Sequence, residues 1–197
     1  MIKNIKILRP GYLIRSINGV ILDARSTIIL VQTKTSNILI DTSAKKDAKI
    51  LLDALRRKKL TFNDIDIIIN THGHMDHIGN IELFKTAKIY SHYLNKFVKS
   101  AIKIRKFPFK INDGIKLIET PGHSFDSISV ILKWNKVYVA SGDCIPLKSN
   151  LINWIPPIMN IDPVRAIQSM KKITKIADVI IPGHDKPFKI NKEDFLK

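Results

Sequence analysis

Three imidazoles and a carboxylate fall within six consecutive residues of this chain, His72-Gly73-His74-Met75-Asp76-His77. Side chains of this kind, crowded together and away from water, are expensive to hold without a cation among them. His123, Asp143 and His184 stand further along, each in a short loop beside an apolar run. The chain has only six histidines and five of them belong to this set, so histidine-rich composition does not explain the pattern. It is the composition of a two-metal site, and such sites serve mainly in hydrolysis.

The spacing has a geometric reading. Ile67-Ile68-Ile69 is a short β-branched run that reads as a buried strand ending near Asn70. In the extended segment that follows, alternate residues project to one side, so His72 and His74 can hold one ion together. The segment from His77 to Phe84 reads as the start of an amphipathic helix, whose turn carries Asp76 and His77 towards a second position. His123 would complete the first ion's ligands and His184 the second's, with Asp143 bridging both.

Composition bounds the remaining possibilities. A chain of 197 residues with no Pro/Gly/Ser-rich linker or repeat is expected to form one domain, residues 1–197, with a substantial core. No segment approaches the ~20 apolar residues needed to span a bilayer. The N-terminus lacks a signal-peptide core and the single cysteine, Cys144, excludes an internal disulfide framework, so a cytoplasmic location is expected. Ser26 to Gln32 and Asn37 to Ile40 read as strands around a turn. Lys45 to Arg57 reads as an amphipathic helix with Ile50, Leu51, Ala54 and Leu55 on its buried side. Further strands are expected at Ala87 to Tyr90, Ile115 to Glu119, Ser127 to Trp134, Val137 to Ala140 and Val179 to Ile181. A helix from Pro163 to Ile176 has Pro at its first turn. The pattern alone indicates α/β or α+β.

His-x-His-x-Asp-His followed by separated His, Asp and His resembles the metallo-β-lactamase-fold hydrolases. The flanking phrases Ile38-Leu39-Ile40-Asp41-Thr42, Thr120-Pro121-Gly122-His123, Ser141-Gly142-Asp143 and Ile181-Pro182-Gly183-His184 carry the same resemblance. It implies an αββα four-layer sandwich, two mixed β-sheets with helices outside. It also implies metal ligation by His72, His74, Asp76, His77, His123, Asp143 and His184. Asp41 matches the family's strand-end aspartate, which supports the ligand loops from behind. Asp143 where many lactamases carry a thiolate, and His77 in the motif, place the chain nearer the small glyoxalase-II-like branch than the true β-lactamases.

Imidazole and carboxylate donors suit two divalent ions, zinc first, with iron or manganese as alternatives. The expected activity is hydrolysis of a small ester, thioester or lactone by a metal-activated hydroxide, with Asp76 a ligand that also orients the attacking group. Two other readings stay open: a phosphodiesterase or ribonuclease, and a sulfur dioxygenase-like oxidoreductase using one iron.

The formal net charge is +16, and only Glu82, Glu119 and Glu193 supply glutamate. The stretch from Lys96 to Lys110 interleaves cations with Phe97, Phe107 and Phe109, which would suit weak nucleic-acid binding. A solvated helix face with inward phenylalanines fits the same residues better. The partner expected is a small-molecule substrate rather than a membrane. His92 is expected near the surface, in a loop or at a helix start, and Cys144 as a buried small hydrophobe. The segment from Ile145 to Asp162 carries Trp154 and Met159, either as a wall of the substrate pocket or, for Trp154, as core packing.

Overall fold

The computed structural model describes residues 1–191. The first half of the chain lays down strand β1 (Ile2–Arg9), a hairpin of β2 (Tyr12–Arg15) and β3 (Ile21–Arg25), then β4 (Ile28–Thr33) and β5 (Asn37–Ile40). Helix α1 (Ala48–Arg56), β6 (Ile67–Ile69), helix α2 (Met75–Ile78), β7 (Lys88–His92) and β8 (Ile102–Ile104) follow. The second half contains β9 (Phe109–Asn112), β10 (Ile115–Glu119), β11 (Ile128–Lys133) and β12 (Val137–Gly142). Helices α3 (Lys148–Ile152) and α4 (Pro163–Thr174) and strands β13 (Val179–Pro182) and β14 (Phe188–Lys189) complete it.

Two six-stranded sheets run in the orders β1-β4-β5-β6-β7-β8 and β14-β13-β12-β11-β10-β9, and β2 pairs with β3 separately. Both sheets are mixed: β5, β6, β7 and β8 are parallel neighbours in the first, and β12 and β13 in the second. Alternation along each strand separates the two faces. In β4, Ile29 and Val31 face the second sheet and join Ile38, Ile40 and Ile69 against Leu117, Val130 and Ile181. Ile28 and Leu30 point the other way, onto Leu51 and Leu55 of α1. On the outer face of the second sheet, Val139 and Ile180 pack against Met170 and Ile173 of α4, with Cys144 buried beside them. The result is the expected four-layer order of helix, sheet, sheet and helix, held by three apolar clusters.

Several local expectations change. The helix over residues 45–57 divides into a 3₁₀ turn at Lys45–Asp47 and α1, and Ile50 is 44% exposed rather than buried. Only Leu51, Ala54 and Leu55 of α1 are buried, a stripe narrower than the apolar composition suggests. The helix expected from His77 begins two residues earlier and lasts one turn, capped by Gly79 and followed by a 3₁₀ turn at Ile81–Leu83. The amide of Asn80 turns back to the carbonyls of Thr42 and Ala44, at 2.8 and 2.7 Å. The basic stretch 96–110 is not a helix. It crosses β8 and enters β9, with Phe97 69% exposed while Phe107 and Phe109 pack on the inter-sheet core. His92 ends β7 and is 2% exposed, because Glu119 meets its Nε2 at 2.9 Å and Phe107 stacks on its ring. Among the described residues, no helix is long and apolar enough to cross a membrane.

Candidate metal centre

Strands β5, β6, β10, β12 and β13 end at one rim, and the loops leaving them carry the polar residues of interest. Asp41 follows β5, the segment 70–77 follows β6, His123 follows β10, Asp143 follows β12 and His184 follows β13. The parallel pairs β5–β6 and β12–β13 force these exits to the same edge, since parallel neighbours end on the same side. Local backbone adjusts to this convergence. A Cβ on Gly183 would collide with Asp143 Oδ1, so only glycine lets the β13 loop pass the carboxylate.

Two clusters of donor atoms result. His72, His74, His123 and Asp143 form one; Asp76, His77 and His184 form the other; within each, one donor atom per residue lies within 4.8 Å of the rest. Asp143 joins them, with Oδ1 3.3 Å from His77 Nε2, and Oδ2 3.1 Å from His184 Nε2 and 3.5 Å from His123 Nε2. Asp76 Oδ2 lies 3.4 Å from His184 Nε2 and 3.7 Å from His77 Nε2. All seven residues singled out in the sequence therefore meet at one place, five of them buried and His74 and Asp76 partly open.

The far sides of the rings decide what these groups can bind. His123 donates Nδ1–H to the Met159 carbonyl at 2.6 Å, and His184 donates Nδ1–H to the Arg25 carbonyl at 2.9 Å. His77 Nδ1 faces Asp41 Oδ2 at 2.7 Å. A neutral imidazole whose Nδ1 carries the proton leaves a lone pair on Nε2, and the three Nε2 atoms face the clusters. The buried Nε2 atoms of His72 and His77 and the buried Oδ1 of Asp143 make no hydrogen bond. Unpaired lone pairs converging in a buried place are costly unless a cation accepts them. The donors thus fit divalent metal ions, and an all-nitrogen-and-oxygen set suits zinc, iron or manganese.

Electrostatics without a metal points the same way. Burial works against the charge on Asp143, yet the imidazoles of His184 and His77 outweigh it and hold the carboxyl well below its usual range. Burial also opposes charging His77, but Asp143, Asp41 and Asp76 together raise it well above an ordinary imidazole. His72 moves the opposite way: burial, reinforced by His77, pushes it well below. The centre compensates one buried charge with another, which a bound cation would do directly.

Asp41 lies under the ligand loop, accepting from Thr71 N at 2.8 Å and Thr71 Oγ1 at 2.7 Å as well as meeting His77. It holds a left-handed backbone, φ 57°. His92 stands apart from the clusters, and Cys144 beside Asp143 turns into the apolar cluster under α4.

A cavity of about 280 Å³ opens over the two clusters. Met159 lines it together with His74, Asp76, His123, Asp143 and His184. Trp154 does not; it packs against the cluster under α4, with Lys171 Nζ 5.9 Å from its ring centre. The opposite wall, Leu13, Arg15, Ile21 and Ala24, comes from the β2–β3 hairpin. Nothing in the spacing of that segment marks it as part of a site. The one cue is the alternation of Leu13 and Arg15 about an outward Ile14.

Comparison with known proteins agrees with this architecture. The sequence profile of the metallo-beta-lactamase superfamily matches residues 23–103. A Methanocaldococcus jannaschii protein described as a probable metallo-hydrolase is 43% identical over 182 residues, spanning 92% of this chain and 86% of its own length. Metallo-beta-lactamase domain-containing protein 1 of Xenopus laevis is 30% identical over 98% of this chain and 84% of its own. A solved quorum-quenching N-acyl homoserine lactone hydrolase has the same fold, with TM-score 0.76 over 93% of both chains at 21% identity. Extended similarity to these relatives, over a fold whose strand ends gather the expected donors, shows that the chain belongs to the metallo-β-lactamase superfamily.

Proposed function

We propose that residues 1–197 act as one domain that hydrolyses a small ester, thioester or lactone with the help of two divalent metal ions, zinc being the first choice. The observation that carries this reading is the junction of the two donor clusters at Asp143 beneath a cavity with apolar walls. The name of the M. jannaschii relative and the lactone hydrolysed by the structural neighbour support it.

In this reading His72, His74 and His123 hold one ion, Asp76, His77 and His184 the other, and Asp143 both. When bound, such ions acidify water towards neutrality and polarise the carbonyl oxygen under attack. The chain's own residues supply position and proton control. Asp41, the Met159 carbonyl and the Arg25 carbonyl each fix the tautomer and plane of one imidazole. Asp76, partly open to the cavity, can accept and hold the proton that the attacking water releases. Met159 and the two prolines, Pro146 and Pro157, exclude water from one side of the acyl group. A cavity near the lower bound of about 300 Å³ for small-molecule sites favours a compact substrate.

The test is Asp143→Ala, with metal content, circular dichroism and turnover on thioester, lactone and phosphodiester panels measured together. Metal content should fall from two ions per chain and turnover should be lost, with the fold retained. Wild-type metal content and turnover in the variant, or a single iron with oxygen uptake in place of hydrolysis, would overturn the reading.

A further inference from the structure

Three arginines surround the β2–β3 hairpin, and two of them are neutralised. Arg9 Nη1 lies 2.7 Å from Asp47 Oδ1; Arg25 meets Asp47 Oδ2 at 3.1 Å and Asp23 Oδ1 at 2.5 Å. Arg15 is different. Its buried Nε makes no hydrogen bond, as is also true of Arg9 Nη1 and Arg25 Nε, but among the described residues its guanidinium, unlike theirs, has no carboxylate within ion-pair distance. Alternation along β2 turns Leu13 and Arg15 to one face and leaves Ile14 49% exposed on the other. Arg15 pairs with Ile21 after a register shift that skips Leu22, and all three of Leu13, Arg15 and Ile21 line the cavity over the metal-binding residues. Arg15 is thus a partly buried member of the cavity lining, beside Leu13 and Ile21, above the metal-binding residues.

We infer that Arg15 is a specificity-determining residue, and that the substrate is a small ester, thioester or lactone carrying its own anionic group, a carboxylate or phosphate, away from the scissile bond. This rests on the hydrolase reading above and narrows its substrate class. A planar guanidinium with unused donors matches a carboxylate or phosphate in a two-point contact. Apolar residues that line the same cavity, such as Leu13, Ile21 and Pro157, lower the local dielectric and strengthen that pair. The formal net charge of +16 would also steer a small anion to the molecule. The chemistry balances without a further reactant: water adds its oxygen to the acyl carbon, the C–O or C–S bond breaks, and the leaving alcohol or thiol departs. The new carboxylic acid gives its proton to solvent.

The experiment compares zinc-loaded wild type with Arg15→Gln and Arg15→Lys on two thioesters of similar shape, 3-(acetylthio)propionate and S-butyl thioacetate. Calorimetric binding of glutarate and butyrate is measured beside them, and melting curves establish that each variant folds. Wild type should prefer the anionic thioester. In Arg15→Gln the ratio of kcat/KM, anionic over neutral, should fall about tenfold or more, carried by KM, the scale of one lost charge-assisted contact. Arg15→Lys should recover part of it, and glutarate should lose more affinity than butyrate. A ratio within twofold of wild type in Arg15→Gln, or equal wild-type affinity for glutarate and butyrate, would overturn the inference. Hydrolysis without charge preference leaves the hydrolase reading standing and removes this one. Arg15-dependent glutarate binding with no hydrolysis of either thioester does the reverse.

Discussion

His77 Nδ1 and Asp41 Oδ2 lie 2.7 Å apart although the two residues are thirty-six positions apart in sequence. The carboxylate at the end of β5 thereby sets the tautomer of the imidazole that closes the dense motif. Asp41→Asn keeps a residue that tolerates the left-handed backbone at φ 57°, but an amide cannot accept from both Thr71 and His77 with the strength of a carboxylate. Metal affinity, read by chelator competition, should fall about 10- to 100-fold. A change under twofold would mean that Asp41 only ties the turn.

Trp154 and Met159 should separate cleanly. Trp154 packs against the cluster under α4, whereas Met159 lines the cavity and is 53% exposed. Trp154→Ala should cost stability, read as a lower melting temperature, but less than the ~3–5 kcal/mol of truncating a fully buried tryptophan, because Trp154 is only partly buried. Met159→Ala should instead change KM, with melting nearly unaltered. The opposite assignment of effects would return Trp154 to the pocket wall.

Cys144 is 1% exposed, and burial pushes its thiol far above the ordinary cysteine value. The reactive species is the thiolate, which a free cysteine populates by about pH 8.5. Because the folded value is raised, the native protein should stay unreactive to a disulfide reagent at pH 7, 8 and 9. Unfolding in guanidinium should release one thiol per chain. Rapid native reaction at pH 9 would show that the β12 exit opens.

The basic stretch should divide into structural and solvated cations. Lys103 Nζ donates to the carbonyls of Asn95 and Val98, at 2.5 and 2.7 Å, while Lys96, Lys99 and Lys106 are exposed. Lys103→Gln should therefore cost stability. Joint replacement of Lys96, Lys99 and Lys106 should only flatten the salt dependence of RNA binding, by a log–log slope of about 0.7 for each lost contact. Metal-dependent RNA cleavage at physiological salt, abolished in the triple variant, would favour a nuclease over the small-ester reading.

Local chemistry made the donor set legible in the sequence. His72 to His77 are neighbours, and Ile67-Ile68-Ile69 before them reads as a strand, so six residues and their flanks suffice to place the motif after a strand end. The strand members of the three apolar clusters fall to opposite faces by alternation along β4, β5, β11, β12 and β13, because successive side chains of a strand point to opposite sides. Long-range packing decided the rest. His92 looks like a surface histidine until Glu119 of β10 and Phe107 of the loop after β8 close over it. Phe97, spaced like its two core-facing companions, stays in solvent because the chain there is not helical. The β2–β3 hairpin is short and irregular in pattern, and only its fold back over the strand ends turns Leu13 and Arg15 into a wall of the cavity. Sequence by itself determined which atoms could bind metal and which short runs were buried strands, since both are properties of residue type and local pattern. Which cation was left unpaired above the centre depended on Asp47 and Asp23 claiming Arg9 and Arg25 first, a competition that exists only once the chain is folded.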